Sequence, residues 1–314
     1  MLSRVAENLY WMSRYLERAE HTARLLTVKL ESMLDQSPED GEASWRRAVD
    51  ALFGAEFAPT SPDVASLTQT LGFDLDNPSS LISSLRGARD NARQVREQIS
   101  TEMWSHLNQM YLQLAPVNLK TSWSDQPAHI FRETLDNLHM FEGIAFSTMR
   151  HGEGWHFIQL GRYIERAQLI SFLLDLHFGA DARARPPAKY PDWLGLLRSC
   201  TAFEAYCKVY TANIQPNRVA EFLLFDAEFP HSIRFAVERM DEALTRVAPG
   251  APPHRRAECN RLAGRLRANV DFGQIDELMA GTIDGFLAGV TRQCEQINDA
   301  VYAAYIEYDA ETVV

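Results

Sequence analysis

The sequence predicts an all-α protein whose two pseudo-symmetric helical halves pack as one bundle-like body. Three observations carry that prediction. Apolar side chains recur at helical spacing along most of the chain, and alternating strand-like runs are absent. Prolines fall where helices begin, each behind a capping side chain, in SPED at Ser37, SPDV at Ser61 and DNPSS at Asp76. A motif, Arg-Tyr-x-Glu-Arg-Ala, occurs twice: as SRYLERAE at residues 13–20 and as GRYIERAQ at residues 161–168.

The first helix is predicted over 3–35, where Val5, Leu9, Met12, Leu16, Ala23, Leu30 and Leu34 form one broad stripe. Long helices follow over 79–113, 126–150 and 154–178, the last opening after a break at Gly152 and Gly154. Shorter ones are expected over 191–210, 216–225, 231–248, 253–269 and 275–307.

The repeat extends beyond its motif. Residues 9–26 and 157–174 agree at seven of eighteen positions, and Trp45 matches Trp193 at the same offset of 148. FDLDNPSS from Phe73 then matches FDAEFPHS from Phe225 at an offset of 152. Three matches in order predict two similar halves, about 3–150 and 151–314. The low-complexity linker of independent domains is missing, so a single domain over 1–314 is expected.

Composition narrows the function classes. Of 314 residues, 46% are hydrophobic and 23% charged, ordinary for a soluble globular chain. A net charge of −11 argues against indiscriminate binding to nucleic acid or to an anionic membrane. Only Lys29, Lys120, Lys189 and Lys208 are lysine against 27 arginines, a bias that suits either a GC-rich genome or carboxylate and phosphate pairing by planar forks. Cys200, Cys207, Cys259 and Cys294 have no metal-ligand spacing and read as buried thiols of a reducing compartment. With neither a signal-peptide core nor an 18-residue apolar span, the expected location is cytoplasmic.

On the first helix Arg14, Glu17, Arg18 and His21 lie opposite the apolar stripe, yet Tyr10, Leu25 and Val28 share their side. The second copy places Arg162, Glu165 and Arg166 beside Ile158, Leu169 and Leu173. Both faces of each helix are therefore expected to be at least partly buried. Glu17 lies three residues from Arg14 and four from His21, so a local network is feasible. Two readings remain open: a paired polar layer locking the halves together, or an anion site using the surplus arginine of each copy.

RGARDNARQVR puts Arg86, Arg89, Arg93 and Arg96 on one helical face, opposite Leu81, Ala88, Val95 and Ile99. The second half has Glu238 and Asp241 where the first has Arg86 and Arg89. The stripe either ladders with Asp90 and Glu97 or receives an acidic ligand or partner helix. A third candidate is TMRHGEGWHF, where Arg150, His151 and Trp155 flank a glycine-rich break. Such a break can serve as a tight connection or as an anion-binding helix start.

These segments resemble the bacterial alpha-E family, an all-helical domain named for its Glu-Arg motif. The resemblance rests on NLYWMSRYLERAEHTARLL, NPSSLISSLRGARDNARQVREQISTEMWSHLN, EGIAFSTMRHGEGWHFIQLGRYIERA, WLGLLRSCTAFEAY and FPHSIRF, spanning about residues 3–238 in the family's order. It carries the family's motif positions onto Tyr10, Trp11, Arg14, Glu17 and Arg18, then onto Arg86, Arg89, Asn91 and Arg93. They continue onto Arg150, Trp155, Arg162, Glu165 and Arg166. It implies genomic company with ATP-grasp ligase-like proteins, transglutaminase-like proteases and proteasome-related hydrolases. A role in forming or modifying a peptide or amide bond follows, without an assigned active site.

No nucleophile–base pair, GxSxG or phosphate loop is recognisable, so no residue is predicted to be catalytic. Glu153 and His156 have a di-metal spacing, but Glu17 and Glu165 sit beside arginines that repel a cation, and no metal is expected. The leading expectation is a helical partner of an ATP-grasp-type ligase. It would offer an arginine-lined site to an acidic peptide or acyl phosphate, with ATP and Mg2+ on the ligase and no cofactor here. The alternatives are a structural adaptor with internally paired arginines and a free-standing transferase or ligase.

Overall fold

The computed structural model describes residues 1–32, 64–117, 127–183, 188–247 and 252–306. Among them all regular structure is helical. In order these are α1 (Ser3–Ser32), α2 (Val64–Phe73), α3 (Leu81–Gln94), α4 (Thr101–Leu114), α5 (Pro127–Thr148) and α6 (Glu153–Phe178). Then come α7 (Ala180–Arg183), α8 (Tyr190–Ser199), α9 (Phe203–Tyr210), α10 (Pro216–Phe225), α11 (Ile233–Arg246) and α12 (Pro253–Asp271). Last are the short α13 (Ile275–Glu277), a π-helical turn (Leu278–Thr282), α14 (Ile283–Val301) and a second π-helical turn (Tyr302–Ile306). No helix among the described residues is long and apolar enough to cross a membrane.

α1 and α6 form the centre. Both are buried around most of their circumference, α1 with polar as well as apolar side chains. They pack along each other; α1 also packs against α3 and α5, and α6 against α11 and α14. α4 bridges α3 and α5 on one side, and α12 bridges α11 and α14 on the other. The core runs continuously through both groups, with Leu9, Met12, Leu26, Leu85 and Phe131 meeting Leu160, Ile164, Leu174, Val237 and Ile297.

Two turns set the entry angles of α3 and α11. The Ser80 hydroxyl donates to the Asp74 carbonyl at 2.6 Å and accepts from the Ser83 amide at 3.2 Å. The Ser232 hydroxyl likewise donates to the Asp226 carbonyl and accepts from the Phe235 amide at 3.0 Å. Asp74 and Asp226 each accept the amide two residues on, from Asp76 and Glu228, at 2.9 Å. Each serine thus supplies the acceptor that a helix start lacks. The bounds of α2 and α10, and of α3 and α11, correspond at the 152-residue offset read from the sequence.

Three expected helices are each interrupted. The stretch 79–113 breaks between Gln94 and Thr101, because Val95 and Gln98 close a turn and Ser100 caps a new helix through the Met103 amide. Arg96 therefore follows α3 instead of continuing its arginine face. The stretch 191–210 divides at Thr201, which has a φ of 55°. The stretch 275–307 bends at Gly281, whose φ of 129° only glycine adopts without strain. Trp45, the proposed counterpart of Trp193, lies outside the described residues.

Candidate functional site

α1 and α6 cross closely at Gly161. A Cβ there would overlap the Ser13 hydroxyl and the Tyr10 carbonyl oxygen, so only glycine admits the approach. One turn beyond this contact the two Glu-Arg motifs face each other and exchange partners. Arg166 donates to both carboxylate oxygens of Glu17, through Nε at 2.5 Å and Nη2 at 2.8 Å. In the opposite sense Arg18 Nε donates to Glu165 Oε1 and Arg14 Nε to Glu165 Oε2, both at 2.7 Å. Glu17 thus pairs across the helices, and the local network with Arg14 and His21 does not form. Crossing geometry, not sequence spacing, selects the partner.

The exchange is reciprocal but unequal. Arg14 spends its remaining donors on Asn298 at 2.7 Å and Gln168 at 3.0 Å, and its guanidinium lies 4.9 Å from the Trp11 ring. Its counterpart Arg162 turns instead to Glu142 of α5 at 3.0 Å. The surplus arginine of each copy is therefore matched inside the protein. Such charges are stable out of water only when paired and hydrogen-bonded.

Beside the Glu17–Arg166 pair, Glu20 accepts from Arg24 at 2.5 Å and lies 3.5 Å from the His139 ring. Glu17, Glu20 and Glu142 bring one carboxylate oxygen each within 4.8 Å of one another, the spacing of a metal cage. Each is already paired with a guanidinium, of Arg166, Arg24 and Arg162, so the three acids are balanced by three cations. A cavity of about 10 Å³ adjoins Glu17, Glu20, His21 and His231. It is at the lower bound for one water, far below any metabolite. The buried His21 Nε2 facing this region has no hydrogen-bond partner.

Titration follows these surroundings. Burial raises the Glu165 carboxyl, but Arg14 and Arg18 outweigh it and hold the group below the usual carboxylate value. Glu20 is likewise held well below that range, burial being overcome by the His139 hydrogen bond and nearby cations. Glu17 goes the other way, to about 7, because burial, with Glu20 and Glu142 adding to it, outweighs Arg166. Burial and Arg24 lower His21 to about 4, which keeps its ring neutral.

The other sequence-predicted residues stand apart from this layer. Arg86, Arg89 and Arg93 lie on α3: Arg89 turns to α4 and donates to Asn108 at 2.7 Å, Arg86 donates to the Leu75 carbonyl, and Arg93 is exposed. Arg150 is exposed at the α5–α6 connection, and Trp155 stacks on His151 with ring centroids 4.1 Å apart. Fourteen residues of motif thus occupy three places, not one. Sequence reasoning missed Glu20, Glu142, Gln168 and Asn298, which complete the layer, and Trp104 and Tyr111, which underlie Arg89. Glu20 and Gln168 were legible, since each ends a motif copy; the others lie on helices whose approach no local pattern announces. A larger open cavity of about 420 Å³ lies between α4 and α5, lined by His106, Met110, Glu133, Asp136 and Met140 among others. None of the sequence-predicted residues reaches it.

A family model for Alpha-E, described as a predicted alpha-helical domain with a conserved ER motif, matches residues 1–306. Uncharacterized proteins of Mycobacterium bovis and of one Mycobacterium tuberculosis strain are each 27% identical over 339 aligned positions, covering 96% of this chain. A protein of a second Mycobacterium tuberculosis strain, also uncharacterized, is 26% identical over the same share. The chain spans only 37% of the length of these relatives. No solved structure matches.

Proposed function

This chain belongs to the Alpha-E family, and from that premise we propose that it is the helical partner of an ATP-grasp-type ligase in peptide or amide bond formation or peptide modification. The observation that carries this reading is the domain's place in its relatives, where it makes up 37% of a longer chain. A domain built into larger chains is suited to work beside another one. In this reading ATP and Mg2+ sit on the ligase, which makes the acyl phosphate. The helical protein contributes positioning and arginine charge where a reactive anion must be kept from water. Its two groups of helices are pseudo-symmetric halves of one cytoplasmic body, a reading supported by the turns at Ser80 and Ser232.

The Glu-Arg layer supports a structural assignment within that function. Arg14, Arg18, Arg162 and Arg166 each have a carboxylate partner, and the adjoining cavity is too small for a peptide or nucleotide. The same pairing favours a second reading, in which the whole protein is an adaptor. Reconstitution separates the two. The protein mixed with its ligase is followed for ATP consumption and amide product. Stimulated product with no ATP turnover by this chain alone supports the partner reading. A ligase fully active without it leaves the adaptor, and ATP turnover by this chain alone overturns the division of labour.

A further inference from the structure

We propose that the arginine face of α3 and the turn after it is a docking surface for an acidic helix of a partner polypeptide. The inference deepens the partner reading above and rests on it.

Three of these guanidiniums, of Arg86, Arg89 and Arg96, are held in place without being neutralised. Arg89 is held over Tyr111 and Trp104, at 5.1 and 5.9 Å from their rings, and Arg96 lies 5.2 Å from Trp104. Arg86 donates to the Leu75 carbonyl at 3.3 Å. Stacking and carbonyl contacts fix a guanidinium's plane while leaving donors free for a carboxylate. Among the described residues only Asp90 comes within ion-pair reach of Arg89 and Arg93, at 3.7 and 3.6 Å. These distances exceed a hydrogen bond, and one carboxylate is shared by two cations. In the Glu-Arg layer Glu165 is also shared by two arginines, but there every contact lies at 2.5–3.0 Å.

The other group of helices closes the corresponding face on itself. At the positions of Arg86 and Arg89 it carries Glu238, which pairs with Arg234 at 3.2 Å, and Asp241, which pairs with Arg267 of α12 at 2.9 Å. The α3 face is thus the one of the two left with cations in excess, on a protein whose net charge is −11. General electrostatics opposes an acidic visitor, so its binding must come from this face.

The spacing selects the occupant. Arg86, Arg89 and Arg93 run along about 10 Å of helix, at 1.5 Å per residue. A single phosphate touches one end of such a row. A helix with glutamates three, four and seven residues apart matches its length and offers each guanidinium a carboxylate. Neither cavity described above is lined by these arginines, which also suits a partner helix better than a small metabolite.

The test uses the full chain and a fluorescein-labelled helical peptide carrying glutamates at that spacing, read by anisotropy in 50 mM and 300 mM NaCl. Saturable binding is expected that falls at least tenfold at the higher salt, and at least tenfold when the glutamates become glutamine. Arg89→Gln with Arg93→Gln, and separately the exposed pair Arg86→Gln with Arg96→Gln, should each weaken it at least tenfold, with the thermal melt checking the fold. Peptide binding indifferent to both variants overturns the proposal. So does arginine-dependent binding of inorganic phosphate, phosphatidylserine vesicles or single-stranded DNA where the peptide fails. In the reconstituted ligase reaction, stimulation that both double variants retain removes this surface but keeps the partner reading. No stimulation by the unsubstituted chain removes that reading itself.

Discussion

Arg166 grips Glu17 with two hydrogen bonds across 149 residues of sequence, while Arg18 and Glu165, at the equivalent motif positions, make a single bond in the other direction. The chain carries its motif twice because each copy supplies what the other needs. Each helix carries both residue types, yet the bonds run between α1 and α6 and so hold the two in register. The exchange converts a local pattern into a tertiary clamp.

Breaking that clamp from one side should be costly. Glu17→Ala leaves Arg166 buried without its partner and is expected to destabilise by about 3–5 kcal/mol. Glu17→Leu with Arg166→Met should recover most of that loss, since an apolar pair removes both desolvation penalties. Arg18→Ala should cost less, about 1–2 kcal/mol, because Glu165 keeps Arg14 and the Arg18 side chain is 24% exposed. Urea melts of the four proteins check the order; an unchanged melt for Glu17→Ala would remove the clamp.

Gly161→Ala tests the crossing itself. The added methyl would meet both a side-chain and a backbone oxygen of α1, so the helices must separate. Overpacking of this kind typically costs about 1–3 kcal/mol, and here it also lengthens the exchanged ion pairs. Ser13→Gly in the same protein should rescue only part of the loss, because the Tyr10 carbonyl remains. Full rescue would place the contact on the Ser13 hydroxyl alone.

Much of this is legible in the sequence. The all-helical fold, the burial of Tyr10, Leu25 and Val28 opposite the main stripe, and the helix expected over 154–178 all follow from apolar spacing. The partner of Glu17 did not, because Arg14 and Arg166 are equally acceptable to a carboxylate and only the crossing at Gly161 decides between them. The break before Ser100 was hidden by Ala92, Val95, Ile99 and Met103, whose spacing runs through the turn as if it were helix. Thr201 gave no signal at all, since a β-branched residue at positive φ is held by its surroundings. The stacking of Arg89 and Arg96 on Trp104 depends on the turn between α3 and α4 and was equally out of reach.

Acid should loosen the layer through Glu165. Its folded-state carboxyl is held below the ordinary value of 4.5, so its contribution is present above that pH and is lost as pH falls through the depressed value. Glu20, held well below the same value, adds to this loss. Stability from urea melts should therefore begin to fall as pH drops through the ordinary carboxylate value of 4.5 and keep falling below it. Glu165→Gln, less stable at pH 7, should show a flatter acid limb. A limb as steep as in the unsubstituted protein would assign the acid response to other groups.

The two turns offer a direct test of the pseudo-symmetric halves. Ser80 and Ser232 occupy equivalent positions, each bridging an aspartate carbonyl to the first turn of the following helix. Both serines are fully buried, so alanine removes the cap and leaves no water to replace it. Each substitution should cost about 1–2 kcal/mol, the upper part of the range for a lost helix cap. If the halves are equivalent modules of one cooperative body, the two losses should be similar and the double variant should sum them, because the sites share no partner. Hydrogen exchange would show where each loss is felt: Ser80→Ala should expose amides of α3, and Ser232→Ala those of α11. Single costs differing by more than about 1 kcal/mol, or a double variant that departs from their sum by that much, would mean that the turns share a shape without sharing a structural role.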